Sequence, residues 1–164
     1  MFRVFLFNMA ANGLNTVHLT PEGFKDLQEE YNELVDDKRP RLVDRLANAR
    51  AAGDLSENND YISAKQELEF LDGRIAELSY VLQNAVVIKK KSKSIVDFGA
   101  QVTVGINGKK HVFHIVGEWE ADPQAKKISS DSPLGRALIG KKVGDEVEVN
   151  APVGKISYQI LGID

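Results

Sequence analysis

The chain has 164 residues, 43% of them hydrophobic and 27% charged, with 21 basic and 24 acidic side chains for a formal net charge of -3. That length allows one domain or two small ones, and the apolar share is enough for a core. Cysteine is absent, which excludes disulfides and thiolate chemistry; no run nears the ~18 apolar residues of a membrane span, and the charge excludes binding nucleic acid as a bulk polycation.

Met1–Asn8 (MFRVFLFN) is apolar but too short, and too soon followed by polar residues, to be a secretory signal. Residues 1–16 read as a poorly ordered extension, with Met1 and Met9 both open as the start. From Thr20 a helix begins: Thr20 can accept a backbone N–H and Pro21 suits the first helical position. Phe24, Leu27, Tyr31 and Leu34 recur at three and four, then Leu42, Leu46 and Ala49 after an offset at Pro40, which predicts a kink rather than an end. A second helix carries Tyr61, Ala64, Leu68, Leu71, Ile75, Leu78, Leu82 and Ala85 on a coiled-coil seam. Gly53 and the polar residues after it suit a tight turn between the two. The expectation is an antiparallel hairpin of two helices, each about 30 residues and ~45 Å long.

Charge along the hairpin is graded. Residues 20–37 hold seven acids against Lys25, residues 38–50 five bases against Asp44, and residues 51–60 the acids Asp54, Glu57 and Asp60 with no base. Asp54 and Glu57, three apart across the turn, can converge on one point. Hard carboxylate oxygens suit Mg²⁺, which often takes only one or two protein carboxylates beside substrate phosphates. Alone the pair is a poor metal site; it becomes useful if another protein supplies the substrate and the first metal. The competing role is structural, with Asp54 or Ser56 capping the second helix and Glu57 favouring its dipole. By residue type, capping is the commoner role, and the two are compatible.

The run Ala49-Arg50-Ala51-Ala52-Gly53-Asp54-Leu55-Ser56-Glu57-Asn58, continued by Asp60-Tyr61 and Ala64-Lys65, resembles the hairpin tip of bacterial Gre transcript-cleavage factors, of the GreA type. The similarity runs from about Val17 to the C-terminus and includes Leu19-Thr20-Pro21-Glu22-Gly23. It implies a hairpin that enters the secondary channel of bacterial RNA polymerase, where Asp54 and Glu57 help hold a second Mg²⁺ and orient water so that the polymerase hydrolyses backtracked RNA. By the same resemblance Ser56 and Asn58 support the tip, and Arg50 and Lys65 lie near the extruded RNA 3′ end.

After the second helix comes a basic connector, Lys89-Lys90-Lys91-Ser92-Lys93-Ser94, read as a solvated linker. From Ile95 the period changes to alternation: Val102/Val104/Ile106, Val112/His114/Val116, Val147/Val149 and Ile156/Tyr158/Ile160. Asn107-Gly108 predicts a two-residue hairpin turn, and Ser132-Pro133 the cap and first position of a short helix. Several antiparallel strands with one helix make a small α+β domain. His111 and His114, three apart on a strand, face opposite ways and do not ligate a metal jointly. The motif Pro-Leu-Gly-Arg-Ala-Leu-Ile-Gly-Lys-Lys-Val-Gly-Asp is similar to the FKBP-like C-terminal domain of Gre factors, a resemblance of fold that does not by itself imply prolyl isomerisation.

The expected organisation is therefore an extension over 1–16, a coiled-coil hairpin over 17–88, a linker over 89–94 and an FKBP-like α+β domain over 95–164. The expected function is a cytoplasmic, monomeric elongation factor, not itself an enzyme, that acts on RNA polymerase with Mg²⁺ shared with the polymerase site and has no membrane partner. Lys65 and Arg74 are the only bases of the second helix, which suits short RNA products. The alternatives are an FKBP-like prolyl isomerase or chaperone that uses the hairpin as a clamp, and a Gre-like inhibitor of the polymerase.

Overall fold

The computed structural model describes residues 16–52, 58–89, 94–106, 108–151 and 154–164. Within them the chain is α+β, a long helical hairpin and a mixed sheet, and it divides into two compact units. One comprises Phe24–Asn84; the other joins residues 16–23 to Ala85–Asp164. The sequence division puts 17–23 with the hairpin, but strand pairing with residues 85–87 draws these residues to the other unit. Strand β1 (Val17–Leu19) lies parallel to β2 (Ala85–Val87), with Val17 opposite Ala85, and the Ile88 N–H donates to the Leu19 carbonyl at 2.9 Å.

Helix α1 (Pro21–Glu33) starts as the sequence predicts, with Thr20 Oγ1 accepting the Gly23 N–H at 3.0 Å. It continues through five π-helical residues, Leu34–Lys38, into α2 (Arg39–Ala51). Pro40 supplies the reason. Its ring would clash with the carbonyl four residues back in a straight α-helix, and the wider π turn, closed by the Arg39 N–H on the Leu34 carbonyl, relieves this without ending the helix. Helix α3 (Asn59–Gln83) has 25 residues, fewer than expected. It stops at Asn84, whose backbone N–H and Nδ2 both bond the Tyr80 carbonyl, at 3.1 and 2.8 Å. Ala85, assigned to the seam by spacing, therefore opens a strand instead.

Cross-helix pairs show the antiparallel sense directly: Glu30 meets Arg74, Arg39 meets Asp72, and Arg45 meets Glu67 and Asp60. Leu27, Leu34, Ala49, Ala64, Leu78 and Val81 are buried, while Leu42, Leu46, Leu68, Leu71 and Ile75 are half-buried. Two facing helices cover only one stripe of each other.

The other unit is built on a five-stranded sheet of order β5-β4-β3-β7-β6, where β3 is Gln101–Ile106, β4 Lys109–Val116, β5 Lys127–Ser129, β6 Glu146–Ala151 and β7 Gly154–Ile163. The sheet is mixed rather than purely antiparallel, because β5 runs parallel to β4. Strands β3 and β4 pair from Ile106 opposite Lys109, leaving two residues for the turn; Gly108 there has φ +77°, and Asn107 lies outside the described residues. Helix α4 (Pro133–Leu138) is capped as predicted, Ser132 Oγ accepting the Gly135 N–H at 3.0 Å.

The core gathers Val96, Ala100, Val102, Val104, Ile115, Leu138, Val147, Ile160 and Ile163, with Phe113 and Tyr158 packed against it. On β4 the inward phase is Phe113/Ile115, not the Val112/His114 alternation read from sequence; apolar residues on both phases of that strand made the spacing ambiguous. On β7 the register shifts opposite Thr103/Val104, so that Val104 pairs Ile160 and Val102 pairs Ile163. This bulge returns Ile163 to the core three residues after Ile160.

The segment Gly117-Glu118-Trp119-Glu120 forms a 3-10 turn over Glu118–Glu120 whose last residue is an anchor. The Glu120 carboxylate accepts the Thr20 N–H at 3.0 Å, the Gly117 N–H at 3.1 Å and the Thr20 hydroxyl. A Cβ on Gly117 would stand 2.1 Å from the His18 carbonyl oxygen, so only glycine permits this approach.

Candidate functional site

The sequence places the chemistry at the turn between α2 and α3. Asp54, Ser56 and Glu57 lie outside the described residues, as does Gly53; what the structure defines is the frame on either side of them.

On the entry side α2 ends at Ala51, with the Ala52 N–H on the Ala49 carbonyl at 3.3 Å. On the exit side Asn58 is the N-cap of α3, its side-chain oxygen accepting the Tyr61 N–H at 3.0 Å. Its Nδ2 donates to the Ala49 carbonyl at 2.6 Å. One side chain therefore starts α3 and ties it to the last turn of α2. The cap considered for Asp54 or Ser56 is filled by Asn58, and the supporting role that the resemblance gave Asn58 acquires a physical content. Beneath the tie, Ala49 and Ala64 are both buried. Small side chains at these positions leave little between the helices to hold them apart.

Of the three tip acids, Asp60 lies within the described residues. Asp60 is gripped by Arg45, Nε and Nη2 converging on one oxygen at 3.0 and 2.5 Å, while Nη1 reaches Glu67 at 3.0 Å. Hydrogen bonding to Asp60 is the largest influence raising the Arg45 pKa above its ordinary value, followed by that to Glu67. The sequence count of three acids without a base must therefore be corrected: fifteen residues back in the chain, an arginine answers one of them. Most of the basic stretch 38–50 is likewise engaged, Lys38 with Glu33, Arg39 with Asp72 and Arg41 with Asp37.

Arg50 differs. It is exposed, in the last turn of α2, and forms no ion pair among the described residues. Lys65 is exposed on α3, with only a loose 3.8 Å contact to Glu69. Arg74, the other base of that helix, is held by Glu30 and Glu77 at 2.9 and 2.7 Å. The two cations assigned to the RNA end are thus those near the tip with the least internal engagement. Among the described residues no three His, Asp or Glu side chains could together hold a metal ion. In the second unit His111 is stacked on Phe113 and His114 is exposed.

Family profiles match nearly the whole chain. "Transcription elongation factor, N-terminal" covers residues 17–87, and "Transcription elongation factor, GreA/GreB, C-term" covers residues 91–164. The chain belongs to the GreA/GreB family. It is a transcription elongation factor of the GreA type. Proteins named transcription elongation factor GreA are 46% identical over 149 residues in Beijerinckia indica (88% of this chain, 95% of the relative) and 44% over 151 residues in Thermodesulfovibrio yellowstonii (90% and 96%). Among solved structures, GreA factor homolog 1 of Thermus thermophilus aligns at 26% identity and a TM-score of 0.43, over 90% of this chain and 98% of its own. The boundary between the two profiles falls at the basic connector, whose residues 90–93 lie outside the described residues. No helix among the described residues is long and apolar enough to cross a membrane.

Proposed function

We propose that this GreA-type factor acts in the bacterial cytoplasm as a monomer on RNA polymerase, inserting its hairpin into the secondary channel and stimulating hydrolysis of backtracked RNA. The observation that carries this reading is the frame of the tip. Helix capping and cross-helix pairing, the ordinary uses for polar residues in such a turn, are supplied by Asn58 and by the Arg45–Asp60 pair. The family resemblance assigns Asp54 and Glu57 to chemistry. As hard oxygen donors they suit Mg²⁺, yet two carboxylates do not complete a site, so they would hold it together with ligands of the polymerase. The ion, when bound, supplies water activation and charge neutralisation.

The chain's own residues orient and select. Asn58 ties the start of α3 to the last turn of α2; Arg50 and Lys65 offer two cations to the phosphates of the RNA end; Ser56 is a further polar group at the turn. With Arg74 engaged by two glutamates, α3 offers only Lys65 along its length, which favours short released fragments. The chain is not a nuclease by itself.

The test is a stalled, backtracked elongation complex carrying 5′-labelled RNA. Adding the chain should shorten the RNA by a few nucleotides and restore elongation, while the chain alone leaves free RNA intact. Hydrolysis of free RNA by the pure chain, or no cleavage in the complex, would refute the reading.

A further inference from the structure

The flank of the hairpin carries a groove that neither the buried seam nor the tip chemistry uses. Its volume is about 390 Å³, and it is lined by Lys38, Arg41 and Leu42 on one arm and by Glu67, Phe70 and Leu71 on α3. Phe70 forms one wall and is 81% exposed, more than any other large apolar side chain among the described residues. A lone exposed apolar residue is ordinary on a protein surface. The surroundings of this one are not.

Every charge in the lining is already answered within the hairpin. Lys38 pairs with Glu33 at 3.0 Å, Arg41 with Asp37 at 2.6 Å and Glu67 with Arg45 at 3.0 Å. What the groove offers a partner is therefore the Phe70 ring and the half-buried Leu42 and Leu71. Gly73, three residues along α3 and so on the same face, is exposed, and a Cβ there would meet nothing within 4 Å. Packing inside the chain does not call for glycine at this position, and in a helix interior only proline is less favourable. The ring thus stands beside a turn stripped of its side chain, where another surface can come close to the backbone. An aromatic knob inside a rim of polar residues is the usual build of an interface anchor.

We propose that Phe70 anchors the hairpin to RNA polymerase: the ring enters an uncharged, apolar recess of the polymerase, whose surface closes over the groove and over Gly73. The inference rests on the proposed insertion of the hairpin and adds to it a binding residue distinct from the tip acids. Phe70 lies eleven residues beyond Asn59, the first residue of α3, or about 16 Å along the helix axis. A channel that encloses the tip therefore also surrounds this stretch, so insertion itself brings the polymerase to the groove. Nucleic acid is the poorer occupant, because its phosphates would find both cations of the lining already paired.

The test titrates the full chain onto a backtracked elongation complex and reads binding and cleavage separately. Phe70→Ala, an exposed change, should raise the half-saturating concentration about tenfold or more. Cleavage at saturation should stay within about twofold of wild type, as expected when only binding is lost. Gly73→Gln should raise the melting temperature of the free chain and yet weaken binding about fivefold, through the bulk it places under the partner. A glycine with a purely structural role would not pair a gain in stability with a loss of affinity. Unchanged affinity of Phe70→Ala, in a complex that the wild-type chain binds and cleaves, would overturn the anchor and leave insertion standing. Wild-type binding without cleavage would refute the cleavage reading alone, and Phe70→Ala should still bind more weakly; no wild-type binding would overturn both. Dimers of the free chain that Phe70→Ala dissolves would give the groove to a second copy. Amide shifts at Leu42 and Leu71 on deleting residues 1–8 would give it to that segment. Either result would overturn the proposal.

Discussion

The two units are held together by different physics. The second closes five strands and a helix over nine contiguous buried residues, whereas the hairpin buries a narrow stripe and aligns its helices with arginine–carboxylate pairs on its flanks. Ion pairs between exposed side chains contribute little stability each, but they fix register. In a hairpin so built, Asn58 ties the start of α3 to the last turn of α2. The second unit has the larger reserve of buried apolar surface.

That contrast can be broken at its strong end first. Ile160 is fully buried at the centre of the sheet, and Ile160→Ala should cost about 2–5 kcal/mol of stability, read from denaturant unfolding. At the tip Asn58→Ala removes a helix cap and the tie to Ala49, with an expected loss of about 1–2 kcal/mol. Asn58→Asp keeps the cap acceptor but not the amide donor, and should recover roughly half of that loss in thermal melts monitored by helix signal. The smallest effect is expected on the flank. Arg74→Met keeps the aliphatic stem and loses the pairs to Glu30 and Glu77, at a cost of about 0.5 kcal/mol that shrinks further in high salt. A loss there comparable to that at Ile160 would mean that ion pairs, not the seam, carry the hairpin.

How much of this was legible in the sequence follows the same division. Thr20 and Ser132 announced their helices because a cap is a local signal, and Pro40 announced a distortion, though not its π form, because a proline's clash is local too. The bulge that returns Ile163 to the core, the parallel pairing of β1 with β2 and the grip of Glu120 on Thr20 depend on residues up to a hundred positions apart, and no window of sequence contains them. At the site, spacing found the acidic turn. It offered Asp54 or Ser56 as the cap where Asn58 fills the N-cap of α3, because all three are good cap formers and only the start of α3 chooses among them. It also overlooked Arg45, fifteen residues from the aspartate it neutralises. Asp54 and Glu57 were singled out by residue type and family resemblance together.

The central claim is that Asp54 and Glu57 act as one unit in the polymerase site. The most direct measurement is the cleavage rate of a backtracked complex with Asp54→Asn, Glu57→Gln and the double variant, with polymerase affinity determined in parallel. The amides retain size and most hydrogen-bonding capacity, so folding and binding should persist. Cleavage should fall about 10²-fold or more in each single variant, and the double variant should be little worse than either, because one shared site is already broken. Added Mg²⁺ should partly restore the single variants and hardly the double. Normal binding with wild-type cleavage by Asp54→Asn would contradict the account and return Asp54 to a purely structural role.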